Sequence, residues 1–575
     1  MTAVTPRPRM IRGLVRGSWS VFDWVTLIVS LLLALLIVGP LAGAVWNIFS
    51  GEDGSVADSF AAVFGDGRIL QILWNTFYIL GIAIVIALVV GTLLAWLNER
   101  TNARVGWASD VLPVVSLLVP STAGAIGWVI LASPQVGYVN VVLSAAAEAV
   151  GLPAPDLNIF SAGGMIFVFS LYLIPQVYLV VSAAMRNIDP AMEEAARVSG
   201  RGTFAVLWTV TVPAVRPAII SGGLLAMVYG LAMFSVPLIL GSRADITILT
   251  VEIVRLLTAA YPPDLVGAAL LSIVLLVALL VVNGISRAVN RSGRFATIGG
   301  KNAGQNVYRL GRVRQTLARI VMFGYLVVGC VLPVLALVYV ALQPFWAGSF
   351  TWQLSLTNFE SVFSAGSQTA TALVNSLVLA VATATICMAL AVIVTYQLGR
   401  SRRLSGPLSL IMKLPGIVPH VIVAIAVLSV FAGPPFNLGS TITILLVAYV
   451  ILYITQASVS AESASLQIGS DLTNASRVAG RGPGSTLRLI SLPLMAPGLA
   501  AGWVFVFVLV MGDITASVIL AGTNNPVVGF TMLSLFQNGT YSTLSAFAAI
   551  ITLVSMVVVL SALAWVARSR RKLTR

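Results

Sequence analysis

Charge is scarce in this chain: 9% of its 575 residues are Asp, Glu, Lys or Arg, while 58% are hydrophobic. That shortage excludes a soluble globular domain of ordinary composition and leaves a polytopic membrane protein. Histidine occurs once, as His420, and cysteine twice, as Cys330 and Cys387, both within apolar runs. So few ligands exclude a disulfide framework and a resident metal site of ordinary ligand count. No G-x-x-x-x-G-K-[ST] phosphate loop is present; Gly299-Gly300-Lys301 lacks the upstream glycine and a preceding strand. The chain is therefore expected to bind no cofactor and to draw its energy from a partner. Nothing resembles a hydrolase triad. The formal net charge of +14 does not indicate nucleic acid, because the basic residues sit in short loops between apolar runs.

What is abundant is apolar length. Runs near 24–46, 73–97, 109–131, 161–184, 218–240 and 264–286 are followed by runs near 320–343, 371–398, 407–431, 441–461, 498–521 and 542–566. Each exceeds the roughly 18–20 residues that cross hydrocarbon. The expected fold is all-α, with about twelve transmembrane helices as two six-helix repeats. The halves are 21–286 and 320–566, with an N-terminal segment 1–20, a basic linker 287–319 and a basic tail 567–575. The first run is too long for the apolar core of a signal peptide cut after Ala44, and reads as an uncleaved span. Residues 47–72 form an acidic outer loop with Glu52, Asp53, Asp58 and Asp66, and 133–158 form a second outer loop. Of the 33 Lys and Arg, only Arg68, Arg243 and Arg255 fall in outer loops, and Lys413 falls in a span. The positive-inside rule thus places both termini and the linker in the cytoplasm.

Two loops break the apolar pattern in the same way. In the first, 189–217, Asp189 can cap a helix that opens on Pro190 and is stopped at Gly200, and Thr203 can cap a second helix. In the second, 470–498, Ala475, Arg477, Val478, Gly480, Arg481, Gly482, Leu487, Pro493 and Pro497 repeat their counterparts 280 residues earlier. Asn75-Thr76 is matched by Asn375-Ser376, and Gln176 by Gln456. An even number of spans per unit makes the halves parallel repeats about an axis along the membrane normal.

Glu194-Ala195-Ala196, then Gly200, then Val210-Thr211-Val212-Pro213 resemble the EAA loop of permease subunits of binding-protein-dependent ABC importers. The second loop keeps Gly480 and Ile490-Ser491-Leu492-Pro493 but departs at the acid, with Asn474-Ala475-Ser476. The resemblance implies a coupling helix in each loop, docked on a cytoplasmic ATPase. Its contacts would be Glu194, Ala195, Ala196, Arg197, Gly200, Arg201 and Pro213, with Asn474, Ala475, Ser476, Arg477, Gly480, Arg481 and Pro493 in the second half. It also implies two copies of the ATPase, which hydrolyse ATP, and a periplasmic or lipid-anchored substrate-binding protein, in a bacterial inner membrane. The fused format, Arg100-Thr101 after the second span, and LPVVSLLVPSTAGAIGWVIL with SPQVGYVN are similar to ferric-iron importers; thiamine, aminoethylphosphonate and polyamine permeases share much of this. A rival class, the ion-coupled secondary transporter, needs an intramembrane coupling-ion site and no such loops. A membrane scaffold leaves the repeated loops unexplained.

Asp513 is the one carboxylate expected well inside a span, where charge is costly, so it faces the bundle or a water-filled path. It is a translocation-pathway residue or a hydrogen-bond partner of a neighbouring helix. Thr515 beside it is matched by Ser235 in the first half, and His420 follows two prolines in its span; these are further pathway candidates. For His420, a packed neutral ring bonded to a freed carbonyl is the preferred reading. Lys413 is expected to snorkel toward the interface, and Gln176 and Gln456 to hydrogen-bond between helices.

Overall fold

The structure, a computed structural model, describes residues 21–50, 64–65, 67–105, 109, 116, 119–154, 156–259, 264–292, 308–400, 405–466, 468, 472, 475–476 and 478–573. The acidic residues Glu52, Asp53, Asp58 and Asp66, and the loop residues Asn474 and Arg477, lie outside these.

Among the described residues, ten helices are long and apolar enough to cross a membrane. The first half runs α1 (Val21–Ser50), α2 (Arg68–Arg100), α3 (Ser121–Ala132), α4 (Tyr138–Val150), α5 (Ala162–Arg186), α6 (Pro190–Val198), α7 (Thr203–Ala232), α8 (Ser235–Ala244), α9 (Leu249–Thr258) and α10 (Leu265–Ser292). The second half repeats the order with α11 (Arg312–Ala341), α12 (Thr357–Phe363), α13 (Gln368–Arg400), α14 (Ser405–Lys413), α15 (His420–Phe431), α16 (Ile442–Leu466), α17 (Pro483–Met511), α18 (Thr515–Leu520), α19 (Val528–Gln537) and α20 (Tyr541–Leu573). In each half three long helices pack mutually: α2, α5 and α7, then α13, α16 and α17. Small residues permit the close approach. A Cβ on Gly502 of α17 would stand 2.5 Å from Cβ of Ser460 on α16.

Two expected spans are broken rather than continuous. Pro120 stands at the N-cap of α3 and Pro419 at that of α15, both with extended ψ. Proline offers no N–H and holds the preceding residue out of the helical region, so α3 begins only after Pro120, and in the second half the run splits into α14 and α15. The fifth and eleventh spans start earlier than their apolar runs and end sooner, with α7 stopping at Ala232 and α17 at Met511. Both contain one wide turn, Leu207–Thr211 and Leu487–Ser491, placed just before Pro213 and Pro493. A third wide turn, Val327–Val331, precedes Pro333 in α11. The wider i→i+5 winding takes the carbonyl that a proline ring would strike out of its way.

The halves are interlocked, which the span count alone did not reveal. Helix α1 packs on α13, α14 and α15 of the second half, where Thr26 Oγ1 donates to Gln397 Oε1 (3.0 Å) and Tyr396 OH to Asp23 Oδ1 (3.3 Å). Helix α11 packs in turn on α3 of the first half. Tyr325 OH of α11 donates to the Leu171 carbonyl of α5 (2.9 Å), and Tyr138 OH of α4 donates to Gln343 Oε1 just past α11 (2.7 Å).

The repeated Asn75-Thr76 and Asn375-Ser376 have the same task in each half. Thr76 Oγ1 accepts from Leu249 N (3.0 Å) and Ser376 Oγ from Val528 N (2.8 Å), satisfying an orphan donor at the start of α9 and of α19. Asn75 and Asn375 donate to the carbonyls of Thr247 and Pro526 beside them.

Candidate functional site: two loop helices and a polar break at the seam

The first loop helix is built as its sequence suggests. Asp189 accepts from Ala191 N (2.9 Å), Pro190 opens α6, and Gly200 closes it at φ 81°. Gly202 rather than Thr203 occupies the next N-cap, and α7 begins at Thr203. Ala195, Arg197 and Arg201 are exposed and Ala196 is half-buried. Glu194 is exposed, and the acid that turns inward is its neighbour Glu193. Thr211 Oγ1 donates to Glu193 Oε1 (2.7 Å), and Arg100 Nε stands 3.6 Å from the same oxygen. Arg100 also donates to the carbonyls of Met185 (2.6 Å) and Ile188 (3.3 Å), tying α2 to the end of α5.

The end of the linker closes over this cluster. Tyr308 pairs with Thr101 through backbone bonds, and the Arg197 guanidinium lies 5.3 Å from the centre of its ring. Burial, and then the nearby Glu193 carboxylate, push the Tyr308 phenol up to about 12. Asn102 exchanges two hydrogen bonds with Leu310, and Gln315 donates to the Asn102 carbonyl. Arg197 is thus committed in part to the linker and not only to a rim facing outward.

Part of the second loop is described as well. Ser476 Oγ and Thr486 Oγ1 share one hydrogen bond of 2.9 Å, Gly480 takes φ 76°, and Ala475 and Arg481 are exposed. Pro213 and Pro493 both lie exposed beyond their wide turns. Sequence reasoning paired Val198 with Val478 only as repeat positions and passed over a second apolar pair. Val198 and Val478, 280 positions apart, are 90% and 89% exposed, and Met192 and Leu472 are a second matched, exposed pair. Their signal was present as hydrophobic residues in an otherwise polar loop.

Asp513 and His420 meet where α17 ends. Asp513 is buried, and its Oδ2 accepts from the backbone N–H of Ala516 (3.0 Å) and Ser517 (3.2 Å), capping α18. Its Oδ1 accepts from Tyr453 OH (3.0 Å) and stands 3.7 Å from His420 Nδ1. His420 lies edge-on to Tyr453, with ring centres 5.5 Å apart. This corrects the expectation of a histidine bonded to a freed carbonyl: its neighbour is the carboxylate. Tyr449 OH and Ser517 Oγ share a further bond of 2.8 Å. Thr515 and Ser235 are buried at the starts of α18 and α8. The break adjoins the other half, since a Cβ on Gly512 would stand 3.4 Å from Cβ of Pro120.

Three smaller expectations need correction. Lys413 does not simply reach outward; its Nζ pairs with Glu462 Oε2 at 3.0 Å. Gln456 makes no helix–helix hydrogen bond, and its buried Oε1 has no partner among the described residues. Asp513 lies not inside a helix but between two, past the end of α17 at Met511 and ahead of α18, and Glu99, near the end of α2, is a second buried acid that accepts from Ser182 and Arg186.

Two interlocked repeats of membrane-length helices, each with an exposed loop turned by a glycine at the matched position, define the membrane-embedded subunit of a transport system. The chain belongs to the family of binding-protein-dependent transport system inner membrane components, which it matches over residues 87–294 and 388–575. Each match contains one of the loops. Such a multi-pass permease works with an ATPase and a substrate-binding protein. The chain is 22% identical over 536 residues to the ferric transport system permease protein FbpB of Actinobacillus pleuropneumoniae, covering 92% of this chain and 76% of that one. It is 26% identical to the probable ABC transporter permease protein y4fN of Sinorhizobium fredii, over 84% and 86% of the two chains. A shorter match, 27% identical over 22% of this chain and 48% of the other, is to the putative 2-aminoethylphosphonate transport system permease protein PhnV of Salmonella paratyphi A. Among solved structures, a bacterial ABC transporter involved in import of the acidic polysaccharide alginate aligns with TM-score 0.37 at 17% identity, over 45% of this chain and 99% of that one.

Proposed function

We propose that this chain supplies both permease halves of an ABC importer that carries ferric iron across a bacterial inner membrane. A separate extracytoplasmic binding protein delivers the substrate, and two copies of a separate ATPase hydrolyse ATP beneath the two loops. Both termini and the linker are cytoplasmic in this reading, on the side where the basic loops lie. The observation that carries it is the matched exposure of Val198 and Val478. Aliphatic side chains left bare at the same place in both repeats mark a surface that a partner covers twice. Glu194, Arg197 and Arg201 ring the first contact; in the 280-residue register of the sequence their counterparts are Asn474, Arg477 and Arg481. ATPase closure draws the two loop helices together, and the interlocked halves transmit that motion as a rigid-body rotation.

The substrate assignment rests on relatives that run most of this chain's length and are named as ferric transport permeases. Phosphonate and polyamine permeases match shorter stretches and supply the second reading. Co-expression with a cognate ATPase tests the first claim, with co-purification as the readout. Ligand binding by the cognate binding protein tests the second. Tight binding of a phosphonate or polyamine, with none of ferric iron, would replace iron as the cargo.

A further inference from the structure

The polar break at Asp513 exists in only one of two otherwise equivalent halves. In the 280-residue register Asp513, Tyr453 and Tyr449 correspond to Met233, Leu173 and Phe169. Three apolar positions have therefore become polar together, and they are neighbours in space. Helix capping alone does not call for the change. The matching helix α8 starts without any side-chain cap, behind Phe234.

The geometry of the carboxylate is informative. Two backbone N–H groups hold Oδ2 and fix the plane of the group, which leaves Oδ1 directed at Tyr453 and His420. The phenol oxygen lies 3.0 Å and the imidazole Nδ1 3.7 Å from Oδ1. Donors that each bind one metal ion at about 2.0–2.2 Å stand about 3.0–3.6 Å from one another, so the separations of Oδ1 from the phenol oxygen and from Nδ1 are close to those within one coordination sphere. The His420 side chain is 28% exposed while that of Asp513 is 3% exposed, so the imidazole is the accessible member. Gly512 and Pro120 place the cluster against the other half, on the seam that a rotation of the halves would part.

We propose that Asp513, Tyr453 and His420 form a transit site for the transported metal cation, carried by the second half alone. The site rests on the reading of ferric iron as cargo. One carboxylate, one phenol and one imidazole supply two oxygens and a nitrogen. Three protein donors leave coordination positions open, which suits a site that must release what it takes. The cation remains cargo, and no residue is oxidised or reduced.

The test uses the complete transporter, chain with ATPase, reconstituted in vesicles and supplied with binding protein loaded with radioactive ferric iron. Asp513→Asn, Tyr453→Phe and His420→Gln are compared with wild type for iron uptake and for ATPase stimulation by loaded binding protein. Expected is a fall in iron moved per ATP of about tenfold or more for Asp513→Asn, with smaller falls for the other two and stimulation kept within about twofold. Tyr453→Phe and His420→Gln leave the cap of α18 intact, so they carry the test where Asp513→Asn assembles poorly. Uptake per ATP at wild-type level in Tyr453→Phe and His420→Gln, with uptake and ATPase in Asp513→Asn either unchanged or lost in parallel, reduces the cluster to a structural cap and overturns the site. Wild-type vesicles that move no iron sink the substrate reading, and the site with it; active wild type with undiminished variants sinks the site alone.

Discussion

Arg100 and Glu193 stand 3.6 Å apart with side chains 3% and 1% exposed, so the first loop helix is rooted by a buried ion pair reaching back to α2. Truncating one member of such a pair strands the other charge away from water, at a cost of about 3–5 kcal/mol. Glu193→Ala is therefore expected to lower the thermal stability of the purified chain markedly. Glu194→Ala, on the exposed neighbour, is expected to leave stability within about 0.5 kcal/mol while weakening ATPase association. Melting curves and co-purification, measured on both variants, separate the two roles; a stable Glu193→Ala protein would contradict the rooting.

Val198 and Val478 make the next prediction. Placing Asp at either position leaves the loop fold untouched, because both side chains are already in solvent. Inside a docked groove, however, an unpaired carboxylate is costly. Val198→Asp and Val478→Asp should each reduce ATPase co-purification about tenfold or more, with normal membrane levels. Undiminished co-purification in both variants would mean that the ATPase docks elsewhere.

Orientation can be read directly. Val313 is exposed at the start of α11, and Ala365 is exposed at the opposite end, ahead of α13. In a chain lacking Cys330 and Cys387, cysteine at Val313 should react only with a membrane-permeant reagent, and cysteine at Ala365 with an impermeant one added outside. The reverse pattern would invert the topology.

The membrane class, the two repeats and the first loop helix were legible because each leaves a local signature: apolar length, recurring motif, cap and glycine stop. The choice between Glu193 and Glu194 was not. Adjacent acids on a short helix differ by about a quarter turn, and the one that points inward is selected by Arg100, far away in sequence. The breaks after Ala232 and Met511 were hidden because Met233, Phe234 and Ile514 are themselves apolar. The embrace of each half by the other's first helix left no local signature either, since Thr26–Gln397 and Tyr138–Gln343 are long-range pairs. Asp513 was found from its charge alone, while Tyr453, which completes its surroundings, looked like one more aromatic in a span.

The last prediction concerns the glycines that stop the loop helices. Gly200 and Gly480 have φ of 81° and 76°, and no atom lies within 4 Å of where a Cβ would stand at either. Space is therefore free inside the chain, and the need for glycine is conformational: an L-residue in the left-handed region pays about 1–2 kcal/mol. Asn tolerates that region better than Ala, and a β-branched residue tolerates it worst. ATPase co-purification and uptake, at matched membrane expression, should then fall in the order Asn, Ala, Val, with Val most damaging, and in the same order at both positions. If Asn at these positions is as harmful as Val, side-chain bulk against the docked partner sets the limit, and the backbone account of Gly200 and Gly480 fails.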